Sequence, residues 1–261
     1  MNLLEEVSRL LNAYAKAILA SASDSWLLSR CFGRDIRGAA LAWSNLEDSM
    51  TLMIPGRSVQ LEAILREPET QAPRATAVLC HPHPVYGGTM NNRVIYRAAK
   101  AVREAGLVAL RFNFRGVGAS TGSFDQGEGE KDDVVAAIDH LEKKYPSLPL
   151  ALVGFSFGAR VGLQVGYRDT RIEAMVGLGV PVGLHDFDYL AENHKPTLYI
   201  VGALDQYCPR EKMDSLARRF PTTSKLIWIE GADHFFNPGI EQVQTLIVDF
   251  FRGLRFSRSS G

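Results

Sequence analysis

The feature that most constrains the fold of this 261-residue chain is a regular alternation of short apolar segments with amphipathic ones. The apolar segments are rich in Val, Leu, Ile and Ala, as expected of strands buried on both faces of a parallel sheet. They are Ala75 to Cys80, Leu107 to Phe114, Leu148 to Phe155, Ile172 to Val180, Thr197 to Val201 and Lys225 to Ile229, preceded by strand-like segments at 50–54 and 59–65. Helices are expected at about 91–104, 131–144, 157–168, 210–219 and 238–253. The alternation predicts an α/β domain with a mostly parallel, eight-stranded sheet and helices on both faces.

Both ends of the chain fall outside this alternation. Between Asn2 and Leu19 the apolar residues recur at helical spacing, which predicts one amphipathic helix. We therefore divide the chain into an N-terminal helical extension at 1–47, the α/β domain at 48–255 and a disordered tail at 256–261. The extension is expected to fold over the domain's site or to pair two subunits as a homodimer.

Charge and cysteine content exclude several classes of partner. Lys plus Arg and Asp plus Glu number 29 each, so no net field attracts nucleic acid or an anionic membrane. The sequence has no run of ~18 apolar residues that could form a membrane span, and charged residues interrupt the segment where a signal peptide would need an apolar core. The three cysteines have neither zinc-site nor disulfide-framework spacing. We expect a cytoplasmic protein whose partner is a small molecule.

A serine lies at a predicted turn between a strand and a helix. Residues 154–158 read G-F-S-F-G, which matches the pattern G-x-S-x-G. Such a turn strains its central residue, and the strand and helix approach so closely that glycine is needed at 154 and 158. The helix N-terminus favours negative charge. We predict that Ser156 is a nucleophile and that the backbone N–H of Phe157 is one donor to an oxyanion.

A serine hydroxyl needs a base, and that base needs a group that fixes its tautomer. For a serine on this kind of turn, the chain order is serine, acid, histidine. His234 follows the last predicted strand and is therefore the expected base. Asp205 follows the strand from Thr197, and a carboxylate beyond the C-terminal end of a parallel strand points into the site. Asp233 is a rival for the acid, although adjacent residues seldom place a carboxylate on a neighbour's imidazole.

The loop after the first long apolar strand is the expected source of a second oxyanion donor. Residues 81–90 read H-P-H-P-V-Y-G-G-T-M. The two prolines have no N–H, so the backbone donor is that of His83, Val85 or Tyr86.

The sequence does not support a metal site or a dinucleotide-binding loop. His81 and His83 have the spacing of two metal ligands, but no third ligand stands at a fixed distance, so no metal is expected. The segment 116–118 reads G-V-G after a strand, but Thr121 replaces the last small residue of a dinucleotide-binding loop and no helix follows.

Three motifs now point to one family. The run H-P-H-P-x-Y-G-G-T-M, the segment R-F-N-F-R-G-V-G-A-S at 111–120 and the G-F-S-F-G turn resemble those of small, cap-less bacterial α/β-hydrolases near the dienelactone hydrolases. The resemblance covers about 75 to 253 and implies the α/β-hydrolase fold with its serine machinery, without specifying a substrate. It also implies that the second oxyanion donor is the N–H of His83, because a histidine and a proline stand where the family usually has His-Gly. Related proline-directed peptidases use a tyrosine hydroxyl, which makes Tyr86 the alternative.

An open site is expected, because the segment between Val180 and Lys195 is too short for a cap domain. Local side chains should then contact the substrate. We assign that role to Phe155, Tyr86, Leu204 and Phe235, although Phe155 could equally belong to the core.

The resulting hypothesis is a carboxylesterase-type serine hydrolase. It would cleave a small-molecule ester with small or medium acyl and alcohol groups through an acyl-enzyme, and it would need no cofactor. The alternatives are a small-peptide or thioester hydrolase with the same triad and a non-catalytic binding protein of this fold.

Overall fold

The computed structural model describes residues 51–256. The predicted N-terminal extension at 1–47 and the tail residues 257–261 lie outside this range. Phe256 is described, and its ring stacks on that of Phe251 with 6.5 Å between centroids, while the guanidinium of Arg74 lies over it.

The strands form a single eight-stranded sheet in the described part of the chain. They are β1 Leu52–Pro55, β2 Gln60–Arg66, β3 Ala75–Cys80, β4 Leu107–Phe112, β5 Leu150–Phe155, β6 Ile172–Leu178, β7 Thr197–Gly202 and β8 Ser224–Ile229. Their order across the sheet is β1-β2-β4-β3-β5-β6-β7-β8. Strand β2 runs antiparallel to β1 and β4, and the other neighbouring pairs are parallel. The predicted mostly parallel sheet is confirmed.

Helices cover both faces of this sheet. They are α1 Arg93–Glu104, α2 Glu128–Lys144, α3 Phe157–Arg168, α4 Arg210–Ala217 and α5 Ile240–Gly253. Apolar residues of α1 and α5 share one hydrophobic cluster, and those of α2, α3 and α4 share another. Every residue of β3, β4, β5 and β7 is buried between these layers, which explains the near-continuous apolar content of these strands.

Helix α2 begins at Glu128, earlier than the predicted start near residue 131. The cause is the fully buried carboxylate of Glu130, which accepts hydrogen bonds from the backbone N–H groups of Asp125 and Gly127 at 2.8 and 2.7 Å. The N–H of Gly127, the residue before the helix, is one of the amides that the start of a helix leaves unpaired. The helix begins in a glycine-rich stretch with weak periodicity because the side chain of its third residue caps its start.

The loops that carry the predicted site residues lie at one edge of the sheet. Strands β3, β5, β6, β7 and β8 are mutually parallel, so their C-terminal ends share an edge. Between β6 and β7 the structure has one short 3-10 helix, Asp188–Glu192, and no cap domain, as predicted. No helix among residues 51–256 is long and apolar enough to cross a membrane.

Candidate active site

Ser156 occupies the turn between β5 and α3 in a strained conformation. Its backbone angles are φ 55° and ψ −116°, a conformation that residues other than glycine rarely adopt. Its N–H donates to the carbonyl of Leu178 at 2.9 Å, which ties the turn to strand β6. The side chain is thereby held at the N-terminus of α3.

Positions 154 and 158 of the turn require glycine because neighbouring backbone segments contact each other there. A Cβ atom on Gly158 would lie 2.2 Å from the carbonyl oxygen of Cys80, at the end of β3. A Cβ atom on Gly154 would lie 2.5 Å from the carbonyl oxygen of Gly158. Both distances are too short for any side chain, so the predicted reason for these glycines is confirmed.

The structure brings the three predicted polar side chains into one hydrogen-bonded line. The Nδ1 atom of His234 is 2.7 Å from Oδ2 of Asp205, and its Nε2 atom is 2.9 Å from Oγ of Ser156. A carboxylate only accepts, so Nδ1 carries the proton and Nε2 is left to accept from the serine hydroxyl. His234 and Asp205 are both buried. Water therefore does not compete for the contact between them.

The carboxylates of Asp205 and Asp233 form different hydrogen bonds. The second carboxylate oxygen of Asp205 accepts from the backbone N–H of Tyr207 at 2.8 Å, which orients the group toward His234. Asp233 instead accepts from the N–H groups of Phe235 and Asn237, both at 2.9 Å, and so shapes the loop that carries His234. The choice of Asp205 over Asp233 as the partner of His234 agrees with this geometry.

Aromatic rings enclose the imidazole of His234. The ring centroids of Tyr207, Phe155 and Phe235 lie 4.7, 5.1 and 5.3 Å from that of His234. Sequence reasoning missed Tyr207. Its position two residues after Asp205, where a carboxylate commonly accepts the N–H two residues on, is the signal that could have identified it.

Two of the three candidate backbone donors in the loop after β3 are already used within the loop. The N–H of Val85 donates to Nδ1 of His83, and that of Tyr86 donates to the carbonyl of His83. Within residues 51–256 the N–H of His83 has no hydrogen-bond partner, and neither has that of Phe157. Of the three donors that the sequence left open, His83 is the one whose N–H is available.

His81 is a structural residue of this loop. Its Nε2 atom accepts from the N–H of Phe114 at 3.0 Å, and its Nδ1–H donates to the carbonyl of Pro82 at 2.6 Å. Burial lowers the pKa of His81 to about 4, and the bond to Pro82 opposes the shift. Both ring nitrogens are occupied, so His81 cannot ligate a metal together with His83. No group of three His, Cys, Asp or Glu side chains in the described residues could hold a metal ion.

The predicted substrate-binding side chains divide into two groups. Tyr86, Leu204 and Phe235 are 84%, 67% and 50% exposed, and they form the open rim of the site. Phe155 is 0% exposed, so its prediction as a substrate contact is wrong. Its ring packs against that of His234 and belongs to the hydrophobic cluster that contains α1 and α5.

A serine at a strained strand-to-helix turn, hydrogen-bonded to a histidine after the last strand and through it to an acid after the preceding strand, defines the α/β-hydrolase class. Residues 73–247 match the family model described as "Alpha/beta hydrolase domain". The chain belongs to this family of hydrolases.

Relatives agree with this assignment. An uncharacterized protein of Rickettsia prowazekii (strain Madrid E) is 37% identical over 183 residues, which cover 67% of this chain and 77% of that protein. The structure of an α/β serine hydrolase homologue from Coxiella burnetii has 34% identity and a TM-score of 0.73, and the match covers 77% of this chain and 96% of that one. An α/β serine hydrolase without lid from Xanthomonas campestris has 31% identity and a TM-score of 0.72, with 78% and 93% covered. The predicted small, cap-less α/β-hydrolase is confirmed.

The buried imidazole of His81 should make stability depend on pH. In the unfolded chain its pKa is about 6.5, and in the folded protein it is about 4. Between these values the unfolded state binds one more proton, so the free energy of unfolding falls as the pH falls, by ~1.4 kcal/mol per pH unit and about 3 kcal/mol in total. Urea unfolding at pH 7 and pH 4.5 should therefore show a larger loss for the wild type than for His81→Gln.

Parallel pH curves for the two proteins would contradict this role of His81. If His81→Gln does not fold, NMR titration of the wild-type imidazole gives the second measurement. A midpoint near 6.5 instead of near 4 would equally contradict it.

Proposed function

We propose that this protein is a serine hydrolase that cleaves carboxylic esters through an acyl-enzyme intermediate. The observation that carries the proposal is the hydrogen-bonded line from Asp205 through His234 to Ser156, with the serine at a helix N-terminus. Fold and family are those of hydrolases, and the finer chemistry follows from how these groups are protonated and placed.

In the first step Nε2 of His234 accepts the hydroxyl proton while Oγ of Ser156 attacks the ester carbonyl. The imidazolium that forms is stabilised by the carboxylate of Asp205, which already accepts from Nδ1. His234 then returns the proton to the departing alcohol. Water hydrolyses the acyl-enzyme by the same proton transfers in the reverse direction.

The negative charge that develops on the carbonyl oxygen needs donors that are fixed in advance. The N–H of Phe157 is at the start of α3, where the helix dipole adds to its effect. The N–H of His83 is the second donor. The hydroxyl of Tyr86 is the alternative donor, but its side chain is 84% exposed.

The open rim supports a substrate of small or medium size. Without a cap domain, little surface is available to enclose a long chain, and the exposed side chains Tyr86, Leu204 and Phe235 offer apolar contacts around the scissile bond. The expected partner is therefore a small-molecule ester, and the steps above use only the protein's own side-chain and backbone groups together with water.

The first test is chemical labelling of the nucleophile. A fluorophosphonate probe should label the wild type at Ser156 and should not label Ser156→Ala. A panel of p-nitrophenyl esters, acyl thioesters and aminoacyl amides should show the highest kcat/KM for esters of short acyl chains. If Ser156 is labelled and the protein hydrolyses thioesters or amides but not esters, the substrate is a thioester or an amide. Absence of labelling would favour a non-catalytic binding protein.

The second test compares two neighbouring carboxylates. In Asp205→Asn the oxygen should stay on the N–H of Tyr207, so the amide NH2 faces Nδ1 of His234 and forces the wrong tautomer. We expect kcat to fall at least ~100-fold. Asp233→Asn keeps the oxygen that accepts from Phe235 and Asn237, so kcat should stay within about threefold of the wild type. Equal losses in both variants would contradict the assignment of the acid.

The third test removes one N–H from the oxyanion site. His83 has φ −53°, which proline can adopt, so His83→Pro deletes the N–H with little change in backbone conformation. Its kcat should be ~100- to 1000-fold below that of His83→Ala, which loses the same side chain but keeps the N–H. Similar kcat values in the two variants, with similar thermal stability, would show that the N–H of His83 is not the second oxyanion donor.

A further inference from the structure

One peptide group at the end of β6 connects the turn of the nucleophile to the strand that leads to the acid. The carbonyl of Leu178 accepts from the N–H of Ser156 at 2.9 Å, and the N–H of Gly179 donates to the carbonyl of Ile200 in β7, also at 2.9 Å. Strand β7 ends three residues before Asp205. Because a peptide group is planar and rigid, these two bonds fix the turn of the serine relative to the strand of the acid.

The backbone of Gly179 also lies against the imidazole of the third triad residue. A Cβ atom on Gly179 would be 3.1 Å from Cε1 and 3.2 Å from Nδ1 of His234. It would also be 3.1 Å from Cε2 of Phe155. Carbon atoms in contact are normally ~3.5–4.0 Å apart, so a methyl group does not fit beside the two rings. The missing side chain of Gly179 therefore leaves the space in which the imidazole lies.

Neither the imidazole nor the glycine can easily move apart to admit a methyl group. The rings of Phe155, Tyr207 and Phe235 surround that of His234, and the hydrogen bond to β7 fixes the backbone of Gly179. The smallest displacement that relieves the contact is ~0.4 Å. Such a displacement changes both hydrogen bonds of the imidazole, which are 2.7 and 2.9 Å long.

We infer that Gly179 is a positioning residue of the proposed reaction: the absence of a side chain at this residue sets the distance between Nε2 of His234 and Oγ of Ser156. This inference rests on the proposed function. Gly179 forms no bond with the substrate and acts through the imidazole. Its φ of 52° also favours glycine, so the test must separate backbone strain from contact with the imidazole.

The first variant adds the methyl group. In Gly179→Ala the imidazole should be displaced from the serine hydroxyl, so kcat for 4-nitrophenyl butyrate should fall on the order of 10- to 100-fold. KM should stay within about twofold of the wild type, because the methyl group is directed at the imidazole and not at the exposed rim. The rate of fluorophosphonate labelling should fall with kcat, since labelling needs the same base.

Two other glycines provide matched controls. Gly231 has φ 74°, and no atom of residues 51–256 would lie within 4 Å of its Cβ, so Gly231→Ala introduces backbone strain alone. A Cβ on Gly177, within β6, would lie 2.9 Å from Val180 and 3.0 Å from Leu163, so Gly177→Ala crowds the core away from the imidazole. Both variants should be less thermally stable than the wild type, yet kcat should stay within about threefold of its value.

A rescue variant tests the contact itself. Leucine at position 155 has no atom at the position of Cε2, so Gly179→Ala combined with Phe155→Leu gives the methyl group room away from the imidazole. The double variant should have a kcat at least about fivefold above that of Gly179→Ala. Two changes that only destabilise the fold would add their losses, and such an additive result would overturn the inference.

The remaining outcomes distinguish this inference from the proposed function. A wild-type kcat in Gly179→Ala, or equal losses in all three alanine variants, would overturn the inference while Ser156 remains the nucleophile. If Gly179→Ala does not fold, a nuclear Overhauser effect between Hα of Gly179 and Hε1 of His234 is expected in the wild type, and its absence would overturn the inference. Absence of both ester hydrolysis and fluorophosphonate labelling in the wild type would instead refute the proposed function.

Discussion

The close contact between the turn at Ser156 and the end of β3 is the constraint on which the site depends. Because the backbone at Gly158 touches the carbonyl of Cys80, helix α3 begins directly beside the loop that follows β3. In the same region the ring of His83 packs against that of Phe157, with 4.9 Å between centroids. A side chain at Gly158 would separate the helix from the loop and so move Ser156 away from the residues that follow β3.

A similar contact positions the imidazole. A Cβ atom on Gly202, the last residue of β7, would lie 2.3 Å from the carbonyl of Asp233, so the loop that carries His234 lies against the strand that leads to Asp205. Asp233 then fixes the loop from within, and Tyr207 fixes the carboxylate of Asp205 through its N–H. Backbone proximity brings the loops together, and local hydrogen bonds determine which way each side chain points.

The buried polar groups around the site are satisfied by backbone partners. His81 connects its own loop to Phe114, two residues after the end of β4, and its low pKa keeps it neutral and therefore compatible with the core. Glu130 shapes the segment that lies under Arg160. These bonds are internal, whereas the N–H of His83 has no partner among residues 51–256.

Sequence alone determined the strand and helix order, the elbow glycines and the order serine, acid, histidine, because apolar periodicity and glycine requirements are local properties of the chain. It could also name Asp205 ahead of Asp233, since the position after a parallel strand is read from the pattern. Only the tertiary structure decided which N–H of the loop after β3 is free, that Phe155 belongs to the core, that Tyr207 packs on His234 and that α2 begins at Glu128. The positions of Phe155 and Tyr207 depend on packing between segments that the assembled sheet brings together. The free N–H of His83 and the start of α2 depend on turn and capping bonds between residues a few positions apart, and a pattern of apolar residues does not record which of these bonds form.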